Sequence, residues 1–480
     1  MRPVERLAAL RRFLLLGAFG LLILLPPAVA LGAAAAVLAI SAARAARRLS
    51  RRQSSRAREG EIVLGVDRRG GLVRLGDHEL SAHGLILGAS GAGKTTTLLK
   101  LLSDQIGRGR PVIAVDMKGA PAFARELAAA ATDAGRPIKV WTIDGGAYWN
   151  PLAHGNATEL KDKLMATERF TEPHYQRAAE RYVQTVLQVL TQPQSGQPPT
   201  LSDVVELMDP RRLATALRSL DRPYRERVQD YLAGLTHDQQ SAIRGLQTRL
   251  AVLTESHTAP YLSAPNGSTA DGTIDLRDAL HGPDVVLFSL NSSKYGRLAS
   301  QIGTLAVQDL VAASGERLIE QASGHAVEQA MIAIDEFSAL GADHVIALLA
   351  RGRESGMTVL VATQELADLE RAAPGLKDQV LGVTAVKIAH RQEVPASAQT
   401  IAQMAGTERV WDVTRQLGGW PLGGGSRGTR RQVEEFIVHP NEIKSLQTGE
   451  AVVISKIRGA RPRTVRITPP PRRSPPELGR

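Results

Sequence analysis

Along this chain, charge is first absent and then regularly spaced. From Phe13 to Ala43 no residue is charged, and at about 1.5 Å of helical rise per residue such a run exceeds the roughly 30 Å of bilayer hydrocarbon. It predicts a transmembrane segment. Pro26-Pro27 divides the run, which leaves open a tight hairpin or one kinked, tilted span. Further on, the apolar positions fall in short runs: Leu85–Leu87, Val112–Val115, Ile138–Ile143, Val285–Leu290, Met331–Ile334, Thr358–Ala362, Val383–Ile388 and Ala451–Ile454. Runs of this length without polar alternation read as strands buried on both faces. Helical patterns separate them, so the predicted fold class is α/β with a doubly wound, mostly parallel sheet.

One interval breaks this rhythm. From about Thr158 to Ser256 the pattern is almost purely helical, with predicted helices over Pro173–Leu190, Leu201–Leu220 and Tyr224–Leu253 and a breaker stretch at Gln192–Pro199. An all-α domain inserted into the sheet is the simplest account. The polar segment Ser263–Gly272 leads back to the strands. The glycine-rich region Gly418–Gly428, with Trp420, Arg427 and the nearby Arg430 and Arg431, predicts a mobile loop. From Arg458 onward the chain is rich in proline and arginine and predicts a disordered tail.

Composition changes this picture in two places. The chain has 480 residues, 43% apolar and 22% charged, and no cysteine. That describes a folded protein of more than one domain and excludes disulfides, thiolate metal sites and a thiol nucleophile. The net charge of +11 lies at the ends: residues 1–58 carry eleven arginines against Glu5, and residues 458–480 seven against Glu477, so the body between is mildly acidic. The basic ends suit membrane lipids and a polyanion. Arg11 and Arg12 precede the apolar run, while Arg44, Arg47, Arg48, Arg51, Arg52, Arg56 and Arg58 follow it. The heavier flank predicts that the downstream chain faces the cytoplasm from the inner (cytoplasmic) membrane. A cleavable signal peptide is the alternative, since Ala28-Val29-Ala30 resembles a cleavage site. The arginine cluster beyond it argues against export.

The strongest chemical signal is Gly88-Ala89-Ser90-Gly91-Ala92-Gly93-Lys94-Thr95, a P-loop with an apolar strand before it and Thr96-Thr97-Leu98-Leu99 after it. The glycines allow backbone N–H groups to turn inward around phosphates, and the positive end of the following helix favours an anion. Lys94 is expected to bridge the β- and γ-phosphates of ATP, and the Thr95 hydroxyl to ligate Mg2+, with Gly88 to Thr96 lining the nucleotide.

A hydrolytic partner lies far downstream. Asp335-Glu336 falls at the carboxyl end of the strand Met331–Ile334, where open α/β sheets place their ligands. Asp335 is predicted to hold the magnesium shell and Glu336 to polarise the attacking water. The next strand ends at Thr363-Gln364, so Gln364 is a candidate contact to the γ-phosphate. Between the two strands, Arg351 and Arg353 are candidates for an arginine finger reaching a neighbour's site.

These motifs resemble the type IV coupling proteins, membrane-bound ATPases of conjugative DNA transfer related to ring-shaped DNA translocases. The resemblance spans roughly residues 60–456 and rests on His83–Thr95, Val112–Gly119, Asn150-Pro151-Leu152, Ile334–Leu340 and Ala362-Thr363-Gln364, in that order. It implies a RecA-like P-loop fold, a homo-hexamer with DNA in a central channel, and a helical domain facing partners such as a relaxase-like or other secreted protein cargo. It also implies a membrane anchor at the secretion channel. It raises Arg353 above Arg351 as the finger, and it marks Asp116 and Lys118 as structural or pore-loop residues rather than catalysts. The family's two separated membrane helices correspond here to one nearly continuous run.

The expected organisation is a membrane anchor over 1–58, the ATPase domain over 59–155 and 263–457, an all-α insert over 156–262, and a basic tail over 458–480. The expected function is a Mg2+-dependent ATPase that threads DNA through a secretion pore. An ATPase driving protein export and an ATP-binding cargo receptor are the alternatives. Aromatic residues are only 4% of the chain, too few for a stacking platform, so DNA is expected to be gripped by its phosphates.

Overall fold

The computed structural model describes residues 60–470 except 169, 171, 193–196, 265–271, 341, 416–427, 458 and 460. The chain divides into two units, Met1–Val63 and Leu64–Arg480. The predicted anchor over 1–58 lies outside the described residues, and among those described no helix is long and apolar enough to cross a membrane.

In chain order the strands are β1 (Glu61–Asp67), β2 (Leu72–Gly76), β3 (Gly84–Leu87), β4 (Val112–Asp116), β5 (Ile138–Thr142), β6 (Gly145–Gly146), β7 (Tyr148–Trp149), β8 (Thr273–Ile274), β9 (Val285–Ser289), β10 (Ala330–Asp335), β11 (Met357–Thr363), β12 (Val386–Ala389), β13 (Thr407–Arg415), β14 (Gly428–Phe436), β15 (Glu450–Ser455) and β16 (Arg463–Ile467). Twelve of them form one sheet in the order β2-β1-β16-β15-β12-β3-β11-β10-β4-β9-β5-β6. From β12 to β5 all neighbours are parallel. Every residue of β3, β4, β10, β11 and β12 is buried, as a sheet covered on both faces requires.

Helix α1 (Lys94–Gly107) connects β3 to β4 and α2 (Pro121–Asp133) connects β4 to β5, both moving outward along the sheet. After the insert, α9 (Ser292–Ala322) and α10 (Ala342–Gly352) carry the chain back from β9 through β10 to β11. Right-handed crossovers in opposite directions cover opposite faces. Accordingly α1 packs on α2, and α9 on α10.

The insert consists of α3 (Ala157–Met165), α4 (Pro173–Leu190), α5 (Leu201–Leu207), α6 (Pro210–Ala216), α7 (Arg222–Ala233) and α8 (His237–Glu255), followed by a short turn of 3-10 helix. Its core is the apolar stripe of α4, with Tyr182, Val183, Val186 and Leu187 buried against Val204 of α5 and Leu246 and Leu250 of α8. The helix predicted over Leu201–Leu220 is two helices. The Asp209 carboxylate accepts from the Arg211 and Arg212 amides at 2.8 and 3.2 Å, and Pro210 starts the new helix. The helix predicted over Tyr224–Leu253 also breaks, at Gly234, where Thr236 caps α8 through the Gln239 amide.

The tail corrects another expectation. Arg463–Ile467 is strand β16, paired antiparallel with β15 and with β1 from Gly65 onward. Val465 and Ile467 are buried between exposed arginines, and this alternation places one face on the core where composition alone suggests disorder. The predicted mobile loop falls largely outside the described residues. Its flanks are the antiparallel partners β13 and β14, in register from Thr407 opposite Phe436 to Arg415 opposite Gly428.

Candidate active site

Four parallel strands end side by side. Leu87 of β3 lies opposite Thr363 of β11, and Asp335 of β10 lies between Ala362 of β11 and Asp116 of β4. With neighbouring strands about 4.8 Å apart, the loop after β3 and the carboxylates after β10 are roughly 10 Å apart. A metal-bound triphosphate is long enough to span that gap.

The loop is built by absence of side chains. Gly91 and Gly93 adopt φ of +72° and +117°, conformations that L side chains rarely take. At Gly88 a Cβ would lie 2.6 Å from the Cβ of His390. Gly93 caps α1 with no side-chain acceptor, so the first-turn amides of the helix open toward the loop and suit an anion. The loop is also held from behind: the Ala89 amide donates to the Arg391 carbonyl at 2.9 Å, and the Gly449 amide to the Ala92 carbonyl at 2.9 Å. Lys94 is only 4% exposed, and its ammonium donates to the carbonyls of Gly88 and, at 3.5 Å, Ala89. Burial, then the charge of Lys118, lowers its pKa. Thr95 and Thr96 follow on the first turn of α1, half-buried, and Ser90 and Gly91 form the exposed tip.

Across the gap Asp335 is 2% exposed. Burial pushes its pKa up to about 6, with Asp116 and Glu336 adding to the rise while Lys118 and Lys94 oppose it. The Glu336 amide donates to the Asp335 carboxylate at 3.0 Å. Glu336 itself is left-handed, at φ +55°, and its carboxylate lies 2.6 Å from the Lys118 ammonium. Among the described residues no group of three or more His, Cys, Asp or Glu side chains is placed to hold a metal. The donors present, one buried carboxylate and one threonine hydroxyl beside a phosphate cradle, fit a magnesium ion that brings phosphate oxygens and waters with it.

Gln364 sits at the end of β11. Its carbonyl accepts from the Gly88 amide at 3.2 Å, and it lines a cleft of about 360 Å³ with Glu336, Ser338, Asp368, Arg371 and Ala372. Lys94, Thr95, Asp335, Glu336 and Gln364 thus belong to one edge of the sheet. Arg353 does not. It lies exposed in the turn before β11, a seven-residue strand away from the carboxyl ends, or roughly 20 Å. Arg351 is exposed on the last turn of α10, at that same far edge.

Sequence reasoning missed the residues behind the loop. His390, at the end of β12, is fully buried. Its Nδ1 faces the Glu450 carbonyl and its Nε2 the Thr97 hydroxyl, each at 2.9 Å. A carbonyl only accepts, so Nδ1 carries the proton and Nε2 accepts from Thr97. The signal was available: His390-Arg391-Gln392 follows an apolar run, as Asp335-Glu336 does. Asp116 is structural, accepting from the Lys118 and Ala120 amides at 2.9 and 2.8 Å. Lys118 instead faces Glu336.

Residues 329–448 match the family described as the TraM recognition site of TraD and TraG. No curated protein matches the chain by sequence. In fold the chain is similar to the bacterial conjugative coupling protein TrwB, whose unbound form aligns with a TM-score of 0.61 and 15% identity over 87% of this chain and 90% of that one. TrwB in complex with ADP and Mg2+ aligns at 0.62 and 15% identity, over 87% and 91%. VirB4 of Thermoanaerobacter pseudethanolicus aligns at 0.53 and 15% identity, over 85% of this chain and 96% of that one. The resemblance read from the P-loop and the acidic strand end is borne out: the chain has the mostly parallel, RecA-like architecture of a type IV coupling protein, and its residues 329–448 carry the segment found in TraD and TraG.

Proposed function

We propose that this protein is a membrane-anchored ATPase that couples ATP hydrolysis to the passage of DNA, or of protein-linked DNA, through a type IV secretion pore. The observation that carries the reading is the placement of the Lys94 loop and the Asp335-Glu336 pair at the same edge of the sheet, on strand ends separated only by β11, within a coupling-protein fold. Lys94 anchors the β- and γ-phosphates, and Thr95 and Asp335 hold Mg2+, which supplies positive charge against the phosphates. Glu336 accepts a proton from a water molecule as the water oxygen bonds to the γ-phosphorus. The bond from that phosphorus to the bridging oxygen breaks, and ADP leaves with that oxygen. Gln364 touches the γ-phosphate, and Arg353 serves the neighbouring subunit of a homo-hexamer at the inner membrane. That TrwB binds ADP with Mg2+ and analogues of ATP and GTP supports the cofactors.

The test is turnover of the full chain in detergent, with and without DNA, at low salt. DNA is expected to stimulate hydrolysis, and the stimulation is expected to fade as salt rises because phosphate contacts release counterions. Turnover indifferent to DNA at low salt but raised by a secreted protein overturns the DNA cargo in favour of protein export.

A further inference from the structure

The turn after β4, whose Asp116 and Lys118 the family resemblance marks as structural or pore-loop residues, is held by an unusually dense set of contacts. Both oxygens of the Asp116 carboxylate accept backbone amides, those of Lys118 and Ala120. The Met117 amide donates to the Asp335 carbonyl at 3.3 Å, and its carbonyl accepts from the Ser292 amide at 2.7 Å. Gly119 has φ +62°, and a Cβ there would come within 2.6 to 2.7 Å of Asn291. Only one residue of this turn sends a charge toward the strand ends. Lys118 reaches the Glu336 carboxylate at 2.6 Å, with 34% of its own side chain and 13% of that of Glu336 exposed. At that depth an ion pair is screened less than on the surface.

The charges around it explain why the contact matters. Asp116, Asp335 and Glu336 crowd two neighbouring strand ends, and Lys118 acts on all three. Lys94, the other cation, is turned onto the carbonyls of its own loop. Without Lys118, Glu336 has Asp335 beside it and, among the described residues, no cation in contact, so repulsion favours side-chain conformations away from the metal carboxylate. The Glu336 backbone lies in the left-handed region and its N–H donates to the Asp335 carboxylate, which leaves the side chain as the part to be aimed.

We propose that Lys118 is a positioning residue for hydrolysis, holding the Glu336 carboxylate where it acts as base while contributing little to nucleotide binding. The inference rests on the reading of Glu336 given above. Its test uses the full chain in detergent, with two readouts: turnover, and the affinity for a fluorescent non-hydrolysable ATP analogue with Mg2+. Lys118→Ala is expected to lower kcat by about 10- to 100-fold, part of the general-base contribution, with KM and the analogue Kd within about threefold. Lys118→Arg, which keeps a donor for the carboxylate, is expected to recover most of the loss. In single-turnover measurements on Glu336→Gln protein, adding Lys118→Ala is expected to change nothing further, because the residue acts through the one already replaced.

Wild-type kcat in Lys118→Ala, or a loss that multiplies on top of Glu336→Gln, overturns the proposal while the ATPase reading stands. So does a Kd weakened tenfold or more at unchanged kcat, which would make Lys118 a phosphate contact. If instead Glu336→Gln hydrolyses ATP at the wild-type rate, the assignment of the base fails and this inference fails with it.

Discussion

His390 shows how a single residue ties stability to the phosphate loop. Burial lowers its pKa to about 4, against which the Glu450 carbonyl pulls upward and the Lys94 charge downward. An unfolded histidine titrates near 6.5, so below that pH the unfolded chain binds a proton that the folded one refuses. Stability from this group is therefore complete above about pH 6.5 and lost as pH falls toward 4. The size is on the order of 3 kcal/mol at most, since each tenfold difference in proton affinity between the two states is worth about 1.4 kcal/mol. His83, buried at the amino end of β3 and also lowered to about 4, chiefly by burial, acts with the same sign. Replacing His390 by Gln is expected to flatten the pH dependence of urea unfolding between pH 6.5 and 4. An unchanged slope would show that the ring is not held neutral in the fold.

Between elements, the insert and the body that carries the large sheet are joined by charge inside the core. Lys163 of α3 and Asp309 of α9, both almost fully buried, form an ion pair at 2.8 Å. The Lys163 ammonium also donates to the Pro151 carbonyl at 2.7 Å, and the Trp149 indole N–H approaches the other Asp309 oxygen at 3.4 Å. Removing one partner of a buried pair strands the other charge, a loss of about 3–5 kcal/mol, whereas removing both is far milder. Asp309→Ala is expected to destabilise by that amount in denaturant unfolding. The double variant Lys163→Met/Asp309→Leu is expected to recover most of it. Equal losses in the single and double variants would mean that packing volume, not charge, governs this junction. The pair also reaches the short motif Asn150-Pro151-Leu152, where the Pro151 carbonyl accepts from the buried lysine, the Asn150 side chain accepts from the Leu152 amide at 3.0 Å, and Leu152 is buried.

At the scale of the whole molecule, the sheet has an edge that carries the Lys94 loop and an opposite edge, and Arg353 stands on the second. Its own subunit cannot bring it to Lys94 without crossing the length of β11. An assembly that sets one subunit's amino-edge turn against the next subunit's loop gives the arginine a site. On the hexamer reading, Arg353→Ala lowers turnover by about 10³-fold or more, as loss of a finger in trans does. Arg353→Ala and Lys94→Ala proteins, each inactive alone, are then expected to regain part of the turnover when co-assembled, since some sites pair an intact loop with an intact arginine. No recovery in mixed assemblies known to form would remove Arg353 from the trans role.

Local patterns in the sequence determined the buried central strands, the P-loop and the acidic pair at a strand end, because burial on both faces, glycine conformation and strand-end chemistry are read within a few residues, whereas edge strands such as β2, β13 and β14 carry no such apolar run. The order of the strands was beyond it. That Asp335 sits two strands from the loop, that Lys118 meets Glu336, and that His390 and Gly449 close the back of the cradle depends on register across positions hundreds of residues apart. The same holds for β16, where two buried side chains outweigh a composition that suggests disorder. Tertiary packing alone decided these points, because it brings together charges whose interaction depends on distance and burial rather than on place in the chain.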